Sequence, residues 1–179
     1  DAEPNHAEAL HLLGLLAHQC GHGDAAVGLL QKAVAAAPGN SVFHSNLATV
    51  LFENGRIDGA IAAYRKTIAL EPDYAGSHNS LGRALTLKGE LDEAIVACNR
   101  AIQLQPDYAM AHNNLGNALG QKKRLDDAIA AFRKAVHFKR DYAEAHYNLA
   151  IALTERGQSE EALNVCRAQC TCRRPRDDM

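Results

Sequence analysis

Self-similarity at a fixed offset constrains this chain more than any other feature. His44, His78, His112 and His146 stand 34 residues apart. Three residues beyond each lies Leu47, Leu81, Leu115 or Leu149, followed by the small residues Ala48, Gly82, Gly116 and Ala150. One period earlier the same places hold Leu10, Leu13 and Gly14. A second ladder runs Ala26, Ala60, Ala94, Ala128 and Ala162, and a third runs Ala33, Thr67, Ala101 and Ala135. Pro38, Pro72 and Pro106 close three of the periods at a common offset. A repeat of this length is one supersecondary unit that buries its apolar face only by stacking on its neighbours.

Each unit reads as two helices. The first holds the Leu–Gly/Ala pair and ends at Gly21, Gly55, Gly89 or Gly157, where glycine takes a left-handed cap without a Cβ penalty. Lys123 stands in that place in the fourth unit and costs about 1 kcal/mol if it keeps the conformation. The second helix carries an apolar set at helical spacing, as in Ala60, Ile61 and Tyr64 or Ala128, Ile129 and Phe132. Proline then stops it. Apolar residues make up 47% of the chain but aromatics only 5%, so Ala and Leu supply the core, and both favour helix. The fold expected is all-α.

The period, the two helices and the order Leu-Gly…Ala…Ala…Pro resemble the tetratricopeptide repeat over roughly residues 7–170. The resemblance implies a right-handed superhelix, an α-solenoid of about five helix-turn-helix repeats. The units are placed at 7–40, 41–74, 75–108, 109–142 and 143–170, the last incomplete. Residues 1–6 read as the end of a preceding repeat and 171–179 as a disordered tail, so the chain is expected to be a piece of a longer array. Two departures from the family pattern are His or Leu in place of an aromatic, and Arg140 in place of the closing proline. The second is expected to soften one junction.

The resemblance also implies that first helices line a concave, ligand-bearing surface. The sixth place of successive units holds Leu12, Asn46, Ser80, Asn114 and Asn148, and neighbouring inward places hold Thr49, Asn79, Arg83, Asn113 and Asn117. Amides and hydroxyls both donate and accept, which suits the main chain of an extended peptide. The competing reading, that an asparagine merely caps or solvates a helix face, stands at even weight for any single residue. Its recurrence favours ligand contact, because Asn is a poor helix former. The row further resembles the substrate-gripping repeat region of O-linked N-acetylglucosamine transferases. The basic residues of a carboxylate clamp are missing: those places hold Val42, Ser45, Gly76, Asn79, Met110 and Asn113.

Other chemistry is set aside. Equivalent residues of adjacent repeats lie roughly 8–10 Å apart, too far for the four spaced histidines to share one metal ion, and they are read as filling the slot between a unit's helices. Cys98 and Cys166 occupy the place of Tyr64 and Phe132 and read as core residues, while Cys170 and Cys172 fall in the tail. Five cysteines without disulfide-like spacing fit a reducing, cytoplasmic compartment. The acid pairs Asp92–Glu93, Asp126–Asp127 and Glu160–Glu161 open second helices, where they favour the helix dipole. No catalytic motif and no cofactor is expected. A net charge of −2 without a basic stripe argues against nucleic acid, and no apolar run is long enough to span a membrane. The expected partner is a protein or extended peptide. The alternatives are substrate recognition for a larger transferase and end-to-end self-association.

Overall fold

In a computed structural model, residues 4–172 form the described backbone and residues 6–167 the described side chains. Ten α-helices, and no strand, occur among the described residues. In order they are α1 (Pro4–Gln19), α2 (Gly23–Ala36), α3 (Ser41–Glu53), α4 (Ile57–Leu70) and α5 (Ala75–Lys88). There follow α6 (Leu91–Leu104), α7 (Ala109–Gln121), α8 (Leu125–Phe138), α9 (Ala143–Glu155) and α10 (Ser159–Cys172). Pro4, Asn5 and His6 belong to the first turn of α1, where proline is tolerated because the first amides have no helical acceptor. Residues 1–3 and 173–179, and the side chains of Cys170 and Cys172, lie outside the described residues.

The chain divides into two compact units, residues 1–89 and 90–179. In the first, α1 pairs with α2 and α3 with α4, while α2 packs on α3 and α4 on α5. In the second, α7 pairs with α8 and α9 with α10, while α6 packs on α7 and α8 on α9. The first helices α3, α5, α7 and α9 are thus each covered by the second helix before them. Leu149, Ala150 and Leu153 of α9 join Ile129 and Phe132 of α8 in one buried cluster.

The ladders now have physical roles. Ala26, Ala60, Ala94 and Ala128 are fully buried, as are Ala33, Ala101 and Ala135. Thr67 shares that last column because its hydroxyl donates to the Ala63 carbonyl at 3.1 Å. At the small place the constraint is sharper than a close helix crossing. A Cβ on Gly116 would sit 2.5 Å from the Phe132 ring, and one on Gly14 would sit 2.8 Å from Leu30 Cγ.

Gly21, Gly55, Gly89 and Gly157 all have positive φ, from 73° to 87°. Lys123 keeps the same conformation at φ 61°. It is held there by a 3.0 Å bond from the Arg124 amide to the Leu119 carbonyl, the counterpart of Arg56 to Leu51 and of Gln158 to Leu153.

The repeated histidines do more than fill a slot. His44, His78 and His112 donate from Nε2 to the carbonyls of Pro38, Pro72 and Pro106 at 3.0, 2.8 and 2.9 Å. Each bond ties a first helix to the chain that ends the preceding second helix. His146 makes the same bond to Arg140 at 2.8 Å, so loss of the proline leaves that latch in place. The acids at second-helix starts also reach across repeats. Asp24 pairs with Arg56 at 2.5 Å, Asp58 with Lys88 at 2.8 Å, Asp126 with Arg156 at 2.6 Å, and Asp92 with Lys122.

Candidate functional site

In each unit, first helices meet directly as well as through their partners: α1 touches α3, and α7 touches α9. The fifth, sixth and ninth places lie along these contacts, so their side chains meet between successive repeats.

In residues 90–179 the expected site residues are brought together most completely. Asn148 of α9 donates both amide hydrogens, one to Asn113 Oδ1 and one to Asn117 Oδ1, each at 3.1 Å. Asn113 in turn donates to Glu144 Oε1 at 3.0 Å. Asn113 is 0% exposed, so its polar capacity is spent inside the protein. Asn114 is also buried, at 7%. The asparagines therefore first serve to join repeats, a role the sequence reading did not assign. Two groups are left over. The Asn148 carbonyl oxygen and the Asn117 amide nitrogen have no protein partner among the described residues, and both side chains are half-buried at the surface.

In residues 1–89 the same register recurs. Asn46 Nδ2 donates to His11 Nε2 at 2.8 Å, sixth place to fifth place. His11, missed as a site residue, stacks on Phe43 with ring centroids 4.4 Å apart, and burial pushes its pKa down. Its neutral ring accepts from Asn46, which fixes the proton on Nδ1. The spacing of 35 between Asn46 and His11, and again between Asn148 and Asn113, was the available sequence signal. Thr49 is exposed, but its hydroxyl donates to the Ser45 carbonyl of its own helix at 3.1 Å. Arg83 is exposed and its guanidinium lies 4.7 Å from the Phe52 ring centroid, bridging α5 to α3. Asn79 is buried at 3%, and Ser80 is half-buried.

A separate cavity of about 310 Å³ opens over Leu115 and Leu119 of α7, between Ile95 and Ile102 of α6 and Ala131 of α8. None of the expected site residues lines it. Its rim carries Lys134 and the Arg124–Asp127 ion pair, 2.7 Å long.

The cysteines offer no reactive pair. Cys98 is fully buried, and burial pushes its thiol up to about 12. Cys166 is exposed rather than core, because no further first helix covers α10 among the described residues. No group of three or more His, Cys, Asp or Glu side chains arranged to hold a metal occurs among the described residues. No described helix is long and apolar enough to cross a membrane.

Stacked helical hairpins with left-handed caps and small-residue crossings define a class, the helical-repeat arrays. Family models place the repeat type within it. Tetratricopeptide-repeat models match residues 45–109, 97–130 and 116–157, so the chain is built of tetratricopeptide repeats. A model for the bacterial transcriptional activator domain matches residues 2–73, which span α1 to α4. Among solved structures, a MamA crystal structure is 26% identical, with TM-score 0.80 over 88% of this chain and 92% of that one. PilF of Pseudomonas aeruginosa is 25% identical, with TM-score 0.80 over 93% of this chain and 76% of that one. MamA of Desulfovibrio magneticus RS-1 shares the fold at 17% identity, with TM-score 0.84 over 96% and 97% of the two chains. No curated protein matches the sequence. Tetratricopeptide repeats generally serve as scaffolds for protein–protein interaction, and none of the matching family models describes an enzyme.

Proposed function

We propose that this chain grips an extended peptide or protein segment along the first-helix face, using side-chain amides to pair with the ligand's main chain. The observation that carries this reading is the pair of unspent groups on two hydrogen-bonded side chains, the Asn117 amide nitrogen and the Asn148 carbonyl oxygen. One donor and one acceptor match one residue of an extended chain, whose N–H and C=O point to the same side regardless of sequence. The hydrogen bond from Asn148 to Asn117 holds both amides in fixed planes, so little side-chain entropy is lost on binding. Asn46 offers a similar half-buried amide in residues 1–89, with its oxygen unspent. Asn113 and Asn114 are too buried to contact a ligand freely and act as supports. Binding of this kind is broad, with side chains such as Arg83 tuning preference. Substrate recognition on behalf of a larger transferase, implied by the sequence resemblance, would use the same face.

The test separates contact from support. Asn117→Asp keeps the oxygen that accepts from Asn148 but replaces the free donor with a second acceptor. Extended peptides selected from a display library on the unaltered chain should bind the variant at least several-fold more weakly, with an unchanged unfolding midpoint. Equal affinity for the two proteins would remove this face from consideration.

A further inference from the structure

The cavity over α7 is open for a reason that the repeat itself supplies. Between α8 and α10, Arg133 of one second helix pairs with Glu161 of the next at 2.5 Å. One period earlier those places hold Asn99 of α6 and Asp127 of α8. Asparagine is uncharged and shorter than arginine, and Asp127 is taken by Arg124, 2.7 Å away. These two places therefore leave α6 and α8 unstrapped. The apolar floor shows the gap. Leu115 is half-buried, whereas Leu47, Leu81 and Leu149 in the same column are at most 7% exposed. Ile95 is half-buried too, whereas its equivalents Ile61 and Ile129 are 3% exposed.

The opening of about 310 Å³ equals the share of roughly ten water molecules and falls at the small end of ligand pockets. Its charge is lopsided. Lys134 has no ion-pair partner among the described residues. Asp127 is the one carboxylate among the described lining residues, and Arg124 already holds it. It also stands seven residues before Lys134 on α8, ~10 Å away along the helix. The Asn99 amide is exposed and has no partner among the described residues. Lys134 lies near His112, another lining residue, because its charge adds to burial in lowering that ring's pKa. A hydrocarbon floor thus carries one unpaired cation and one unpaired amide at its edge.

The geometry points to a second binding site here, for a small apolar carboxylate whose hydrocarbon body covers Leu115, Leu119 and Ile95 and whose carboxylate meets Lys134. The Asn99 amide supplies a further donor. An amine of the same shape would gain the same burial but would set its cation against Lys134. A small ligand fits better than a covering protein. Asp126 and Arg133, next to the rim residues Asp127 and Lys134, already pair with Arg156 and Glu161. A large partner would have to desolvate those ion pairs, whereas a ligand confined to the opening leaves them in water. No residue of the asparagine row lines the cavity, so this site stands apart from the peptide-gripping face.

The experiment is an NMR titration of the 179-residue chain at neutral pH with octanoate and, separately, with octylamine. Octanoate should shift the methyl signals of Ile95, Leu115 and Leu119 saturably and bind at least fivefold more tightly than octylamine. Lys134→Glu, at an exposed place, should reverse that preference. Asn99→Arg combined with Asp127→Glu writes in the pair that closes the next repeat. It should abolish octanoate binding while the unfolding midpoint stays at or above the parent's. The proposal is overturned if octanoate gives no saturable shift at these three residues, or if both amphiphiles bind equally. A preference that Lys134→Glu leaves unmoved, or undiminished binding to the closed variant, would overturn it as well.

Discussion

Asn148→Ala tests whether the asparagine row is structural before it is functional. The substitution removes two amide donors. Asn117 lies at the surface, and water can replace the bond that its oxygen loses. Asn113 is different: it is 0% exposed, and its Oδ1 accepts only from Asn148 among the described residues. A buried acceptor stranded in this way costs about 1–3 kcal/mol, because water cannot reach it and the desolvation penalty stands unopposed. For a chain of this size that lowers the thermal midpoint by roughly 2–4 °C per kcal/mol. Thermal and urea unfolding followed by circular dichroism would read it. The sharper form is a double-mutant cycle with Asn113→Ala. Once Asn113 is gone no acceptor is stranded, so the double variant should recover about 1 kcal/mol or more relative to the sum of the singles. An unchanged midpoint for Asn148→Ala, or strictly additive singles, would refute the reasoning and return Asn148 to a purely ligand-facing role.

Three further outcomes are expected. Lys123→Gly should stabilise the protein by about 1 kcal/mol, because Lys123 holds φ 61° and its contact to Glu155, at 3.8 Å between exposed groups, contributes little; a lower urea midpoint would contradict this. Gly116→Ala should destabilise by about 1–3 kcal/mol, because the added methyl would sit 2.5 Å from a buried ring, and Gly116→Ala with Phe132→Leu should recover most of the loss. Burial, with the Lys134 charge adding to it, pushes the pKa of His112 below its usual value, although the bond to Pro106 works the other way. The folded state therefore resists protonation that the unfolded chain accepts near pH 6.5. Stability is fully present above that pH and is lost as pH falls through the folded pKa. Unfolding midpoints from pH 7.5 to 5 should fall, and His112→Phe should flatten the fall.

The repeat, its helices and its caps were legible in the sequence because each is fixed locally. A glycine column marks left-handed caps wherever the chain folds, and an alanine column marks close crossings. Even Lys123 could be read correctly, since the hydrogen bonds that hold it are made within one helix end. The asparagine row was legible as a pattern but not as a role. Whether an amide faces a ligand or a neighbouring repeat depends on a partner about one period away, and only packing decides which groups face each other. The histidine column shows the same division. Its period was plain in the sequence, yet its bonds to the carbonyls of Pro38, Pro72, Pro106 and Arg140 needed the second helix to deliver those carbonyls.

The chain's own letters thus determined that helical hairpins would form and stack, since periodicity and cap chemistry act within one repeat. Tertiary structure decided which polar atoms of the first-helix face were consumed between repeats and which were left without a partner in the described residues. The physical reason is that hydrogen-bond capacity is finite. Asn113 spends all of it in the interior, while Asn117 and Asn148 each keep one group in reserve.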